Sequence, residues 1–183
     1  MLLITQRLRL REFTLSDLVH LLPFTEDPDQ IRYMAFSLKD EEECTSFLEF
    51  ALSESKAEKR FEYHMAVEDR DTGTFLGSTS LMIEKEHPYC SELGYWFNQK
   101  YWGKGYASEA ARELIRFGFT ELKLHRIWAK CHCENKASEG VMKKCGMMYE
   151  GTIREHIWLR DHYRTSLLYS ILDREFKEST GKL

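Results

Sequence analysis

The chain has 183 residues, 43% hydrophobic and 31% charged, a balance that excludes a disordered polymer and allows one buried core. No apolar run approaches the roughly 18 residues of a membrane span, and Met1 to Arg11 has no signal-peptide core. A net charge of −4 excludes a broadly basic nucleic-acid surface and weakly favours a basic partner. Cys44, Cys90, Cys131, Cys133 and Cys145 are odd in number, so free thiols in a reducing, cytoplasmic compartment are expected rather than disulfides.

No repeat or Pro/Gly/Ser linker divides the chain. Leu8 and Leu10 alternate with Arg7, Arg9 and Arg11, the period of a half-buried first strand. Thr14 with Asp17 is a capping-box signature, after which Leu18, Leu21 and Leu22 share a helical face. A second helix is expected from near Asp40, with Phe47, Leu48, Ala51 and Leu52 as its apolar stripe. The period then shifts to two: Phe61, Tyr63, Met65 and Val67 alternate with Glu62, His64 and Ala66 and end at the Asp69 to Gly73 turn. Thr74 to Ile83 and Cys90 to Phe97 are the next strands. A turn with Gly103 and Gly105 leads into a helix from about Tyr106 to Leu122. Arg126 to Cys133 returns to strand, with Ile127, Ala129, Cys131 and Cys133 on one face and Trp128, Lys130 and His132 on the other. Asn135 caps a short helix that Gly146 ends, and Met148 to Trp158 with Arg164 to Leu172 make a closing antiparallel pair. The order describes an α+β, mixed α/β sheet flanked by helices.

Chemistry concentrates at Trp102-Gly103-Lys104-Gly105-Tyr106-Ala107. Glycines let the backbone approach a ligand, and the free amides of the first helical turn, with the helix dipole, suit a phosphate or pyrophosphate. A bare G-x-G before a helix also marks ordinary structural turns. This one is neither a G-x-x-x-x-G-K-[ST] loop nor a three-glycine dinucleotide fingerprint.

Three separated motifs narrow the reading. Gly94 to Ala110 resembles motif A of the GNAT superfamily of N-acetyltransferases, Q/R-x-x-G-x-G/A: Gly105 and Ala107 match, and Trp102 stands where Gln or Arg is usual. Asn135-Lys136-Ala137-Ser138 followed by Lys143 to Met147 is similar to the family's N-x-x-S…K-x-G-F segment. Thr5 to Arg11 resembles the T-x-R-L-x-L-R opening of the RimJ/RimL-like branch of ribosomal-protein N-terminal acetyltransferases, and the Asp161 to Leu172 tail is similar to its last strand. The resemblance covers nearly the whole chain.

It implies a single N-acetyltransferase domain over residues 1–183, with a strongly twisted, mostly antiparallel sheet. The strand ending at Phe97 splays from the one beginning at Arg126 to open a V-shaped cleft. It implies acetyl-coenzyme A as a substrate: pantetheine beside the backbone of Tyr95, Trp96 and Phe97, and pyrophosphate on the turn Trp102, Gly103, Lys104, Gly105, Tyr106, Ala107 and Ser108. Asn135 would sit near the pantetheine amides and Ser138 near the sulfur, although both also read as cap and first-turn residues. The tyrosine that many relatives use to protonate the thiolate corresponds to Met142, which has no proton to give; the catalytic assignment therefore falls to Ser138.

The acceptor amine must be neutral to attack, and an α-amine with a reference pKa of about 7.7–8.0 needs less help than a lysine at about 10.4. Glu92, beside the cleft strand, is the first candidate base and Glu155, on the penultimate strand, the second; each also reads as an exposed strand glutamate. A bulge at Glu92 would turn its side chain away. Strand alternation separates His132 from Cys131 and Cys133, which argues against a metal site. A covalent acetyl-Cys131 route competes with direct attack in a ternary complex, and direct attack is expected. The acceptor is a protein N-terminal α-amine, that of a ribosomal protein among them, or a small-molecule amine such as a polyamine, amino acid or antibiotic; a coenzyme A-binding module with little turnover is the reading from another class. Neither nucleic acid nor membrane is an expected partner, and a homo-oligomer is left open. The loops Asp27 to Ser37 and Lys85 to Cys90, together with the last two strands, are expected to select the acceptor.

Overall fold

A computed structural model describes residues 1–25, 32–33, 38 and 40–180. In chain order the elements are β1 (Leu2–Ile4), β2 (Leu8–Glu12), α1 (Leu18–Thr25), α2 (Glu41–Lys56), β3 (Glu62–Asp69), β4 (Phe75–Ile83) and β5 (Cys90–Phe97). Then follow α3 (Tyr106–Thr120), β6 (Arg126–His132), α4 (Lys136–Lys144), β7 (Met148–Leu159), β8 (His162–Leu172) and α5 (Asp173–Thr180). The strands make one sheet in the order β1-β2-β3-β4-β5-β6-β8-β7. All neighbours are antiparallel except β5 and β6.

Two elements were not expected. β1 pairs with β2 through Leu2↔Arg11, Leu3↔Leu10 and Ile4↔Arg9; three residues are too few to display a period, so only the pairing reveals the strand. After β8, α5 returns to the sheet through Phe176, which packs on Phe119 of α3 with ring centroids 5.3 Å apart. Most of the Asp27 to Ser37 loop lies outside the described residues.

Caps set the helix starts. Thr14 and Asp17 form the capping box, and Asp17, 2% exposed, also takes a two-pronged bond from Arg11 at 2.7 Å to each oxygen. Asp40 accepts from the Glu43 amide at 2.9 Å. One face of the sheet is covered by α3 and α4, against Leu10, Val67, Leu81, Leu93, Ile127 and Ala129. The other face carries α1 and α2, where Phe13, Leu21, Leu48 and Phe75 gather and Trp96 joins them. Gly118 lets α3 lie close on the sheet, because a Cβ there would meet Ile127 Cδ1 at 2.8 Å.

The β5–β6 ladder holds three residue pairs, Cys90↔Arg126, Ser91↔Ile127 and Glu92↔Trp128, and then ends. Beyond it β5 stays with β4 through Phe97, paired with Gly77, while β6 stays with β8 through His132, paired with Ser166. The two arms diverge into the expected V. All five cysteines are free thiols.

Candidate active site

The turn feeding α3 is built on two left-handed glycines, Gly103 at φ 74° and Gly105 at φ 83°. Gly105 is the helix N-cap, and no side chain caps the helix. The first helical bond runs from the Glu109 amide to the Gly105 carbonyl at 3.1 Å, which leaves the amides of Tyr106, Ala107 and Ser108 without intrahelical acceptors. A Cβ at Gly103 would meet nothing within 4 Å, and one at Gly105 only the Arg7 guanidinium at 3.5 Å. Open space above uncapped amides fits a diphosphate.

What locks this turn comes from the other end of the chain. Glu109 accepts from the Thr5 hydroxyl at 2.6 Å, the Arg7 amide at 2.9 Å and Arg7 Nε at 2.7 Å. Arg7 also donates to the Lys104 carbonyl at 3.1 Å and lies over the Tyr106 ring. Burial alone would raise the Glu109 carboxyl, but the Thr5 and Arg7 bonds hold it below the ordinary glutamate value. It is therefore an anion matched by Arg7 within the protein. Thr5, Arg7 and Glu109 were each visible inside a motif, but nothing in the sequence joins them. Trp102 folds back instead of facing the turn, donating Nε1–H to the Phe97 carbonyl at 2.7 Å. Lys104 reaches toward the Tyr101 ring.

Across the cleft, Asn135 Oδ1 accepts from the Ser138 amide at 3.0 Å and caps α4. The Ser138 hydroxyl lies 2.9 Å from the Tyr95 hydroxyl, which also donates to the Ser138 carbonyl at 3.0 Å. Tyr95, on β5, thus bridges to α4, a contact the sequence did not suggest. Burial pushes the Tyr95 phenol well above its ordinary value, despite the Ser138 bond, so it stays protonated. Met142 is fully buried in the core. Cys131 faces the α4 side of β6 with its Sγ 3.9 Å from the Asn135 carbonyl, and burial pushes its thiol up to about 11, with Ser138 opposing. Reactivity belongs to the thiolate, so a covalent acetyl-Cys131 step is disfavoured at neutral pH.

The two candidate carboxylates are not brought together. Glu92 stands in the last β5–β6 pair, with no register shift along β5, so no bulge turns it away. It shares the face that carries Trp96, and Lys130 Nζ lies 3.3 Å from it. Burial pushes its carboxyl above the ordinary glutamate value, with the Lys130 ammonium opposing. Glu155 lies on β7, the edge strand beyond β8. The bulge is there instead: the register shifts between Ile153 and Ile157, Glu155 takes φ 48°, and its side chain is exposed. Among the described residues no three His, Cys, Asp or Glu side chains gather as a metal set, and no helix is long and apolar enough to cross a membrane.

A family model, the Acetyltransferase (GNAT) domain, matches residues 7–148. The chain belongs to the GNAT family of acetyltransferases. Its GNAT relatives include an uncharacterized N-acetyltransferase, YnaD, of Bacillus subtilis (strain 168), 34% identical over 94% of this chain and 97% of the relative. The crystal structure of a GNAT-family acetyltransferase from Bacillus anthracis superposes with a TM-score of 0.82 at 31% identity, covering 95% of this chain and 99% of that one. The ribosomal-protein-serine acetyltransferase of Escherichia coli (strain K12) is 31% identical over 46% of this chain and 48% of its own length. The protein is thus a GNAT-type N-acetyltransferase.

Proposed function

We propose that this enzyme passes the acetyl group of acetyl-coenzyme A to an α-amine, that of a protein N-terminus such as a ribosomal protein's, by direct attack in a ternary complex. The observation that carries it is the opening between β5 and β6, which ends on the uncapped amides of α3. Pyrophosphate is held by the backbone of Lys104 to Ser108, with Trp102 and Gly103 shaping the turn, and pantetheine lies along Tyr95 to Phe97. Because Asn135 Oδ1 is spent on the cap, its Nδ2 amide is the part offered to the pantetheine. When bound, the thioester supplies the activated acetyl group; the chain's own residues orient it and handle protons. Glu92 takes the proton of the incoming amine, directly or through one water. Burial makes this carboxylate more basic than an ordinary glutamate, with Lys130 opposing, which suits an α-amine near its own pKa better than a lysine side chain. The name of the Escherichia coli relative supports the same acceptor.

A screen of acetyl-coenzyme A with N-terminal peptides, amino acids and polyamines, read by release of free thiol, tests this reading. Peptides with a free α-amine should turn over, and the same peptides blocked at the N-terminus but keeping a lysine should not. Turnover confined to polyamines would shift the acceptor to small molecules. Coenzyme A binding with no turnover on any amine would make the chain a binding module.

Ser138 is assigned to hydrogen-bond the departing sulfur, its one hydroxyl proton turning from the Tyr95 oxygen to the thiolate while Tyr95 keeps its own proton on the Ser138 carbonyl. Ser138→Ala should then lower kcat by about tenfold or more, the worth of one charge-assisted bond. The Tyr95 hydroxyl keeps the Ser138 carbonyl, so the stability loss should be about 0.5–1.5 kcal/mol, a few degrees in Tm at about 2–4 °C per kcal/mol. A melting point that drops much further with kcat intact would leave Ser138 a purely structural residue.

A further inference from the structure

Arg164, on β8, is 8% exposed, and among the described residues no carboxylate meets it. Its hydrogen bond runs from Nη2 to the Arg32 carbonyl at 2.8 Å, and its Nε–H is buried without a partner. Three other partly buried arginines pair with carboxylates: Arg11 with Asp17 and Glu68, Arg60, just before β3, with Glu12, and Arg126 with Glu150. A guanidinium taken out of water without an anion is costly, so this one stands out in a chain whose net charge is −4.

Most of its charged surroundings are cationic or donors too. The β6–β8 register sets His132 opposite Ser166, and the period of two places Arg164 on the same face, one step further along β8. His132 Nδ1 accepts from the Glu134 amide at 3.2 Å, so the neutral ring carries its proton on Nε2, as a donor. Burial, then Arg164, hold the ring below its ordinary pKa, with His162 and Arg32 adding in the same sense and the Glu134 carboxylate, a nearby anion, opposing. Arg160 likewise crowds Arg164. This is the face of Glu92 and Trp96, on the β6 arm of the V, across the sheet from α3 and α4.

We propose that Arg164 and His132 form a subsite for a carboxylate carried by the acceptor, so that the enzyme acetylates carboxylate-bearing amines. The planar guanidinium fork matches a carboxylate, and the imidazole adds a third donor. The proposal rests on the acetyl-transfer reading and names the chemistry of its acceptor. Two sources carry that group: the α-carboxylate of a free amino acid, or an acidic side chain close to a peptide's N-terminus.

The test is kcat/KM, at saturating acetyl-coenzyme A, for amines paired so that only the anion differs. The pairs are an amino acid and its carboxamide, a short peptide with Glu or Gln at its second position, and phosphoethanolamine and ethanolamine. The carboxylate member of one of the first two pairs should be favoured by at least about tenfold, equal to about 1.4 kcal/mol, and which pair responds names the source. Arg164→Gln should bring that ratio close to one, and Arg164→Lys should keep part of it. Should Arg164→Gln not fold, His132→Phe carries the same comparison beside the wild-type ratio. A wild-type ratio near one, a ratio kept in Arg164→Gln, or a preference confined to the phosphate pair overturns the subsite. Calorimetry of the favoured acceptor separates the two layers. Arg164-dependent binding without thiol release keeps the subsite and removes acetyl transfer, whereas turnover with no carboxylate preference does the reverse.

Discussion

Gly105→Val should weaken coenzyme A binding by well over tenfold, and folded protein should be recovered because the turn is open. A Cβ at this position would meet only the Arg7 guanidinium at 3.5 Å, so no core contact is lost. The residue stands at φ 83° and ψ 1° as the cap of α3, where a β-branched side chain costs about 1–3 kcal/mol of backbone strain. Relieving that strain rotates the very amides assigned to the pyrophosphate in the proposed function, and the valine methyls project into the same space. Each factor of ten in Kd is about 1.4 kcal/mol, so either effect alone is measurable by calorimetry. Gly73→Val is the control: Gly73 has φ 69° and nothing within 4 Å of an added Cβ, but it lies in the β3–β4 turn. It should carry similar strain and bind coenzyme A normally. Unchanged affinity in folded Gly105→Val would remove the cofactor assignment.

Glu92→Gln should lower kcat/KM by about 10²–10⁴, the usual range for losing a general base. The sign of the pH dependence follows from burial. The Glu92 carboxyl is pushed upward by burial, with Lys130 opposing, so it becomes a base at higher pH than a free glutamate, and wild-type activity rises through that value. In the variant the amine must lose its proton unaided, so the deficit should shrink between about pH 6 and 9 as an α-amine titrates. Folding is a fair control for a reason of the same sign. A raised folded-state pKa means the native protein holds this proton more tightly than the unfolded chain. The resulting cost to stability is absent below the ordinary glutamate value and present above it. Glutamine removes that cost while leaving the Lys130 ammonium without its anion, and the two changes oppose each other. Glu155→Gln, on the exposed edge strand, should change little. If Glu155→Gln loses activity across this pH range and Glu92→Gln does not, the base is on the other wall. If neither matters, orientation alone drives attack by amines that arrive neutral.

Most of the fold was legible because its signals are local. Asp40 and Asn135 cap helices through their own third-following amides, and Met65, Val67 and Ala66 divide between the two faces as a period of two requires. The turn at Gly103 and Gly105 announced itself by composition, since only glycine adopts that backbone without strain. The splay could be placed only through the family resemblance; no residue near Glu92 or Trp128 signals that a ladder stops there.

By itself, then, the sequence determined the succession of strands and helices, the glycine turn whose free amides suit an anion, and the family to which the chain belongs. Those features depend on neighbours within a few residues or on motifs read in order. The tertiary structure decided which side chains meet. It joined Thr5 and Arg7 to Glu109, Tyr95 to Ser138, and Lys130 to Glu92, and it left Arg164 buried without an anion. It also sent Glu155 outward at a bulge. Each outcome turns on distances between segments far apart in the chain and on how much water burial removes from a charge, and neither quantity is written in local spacing.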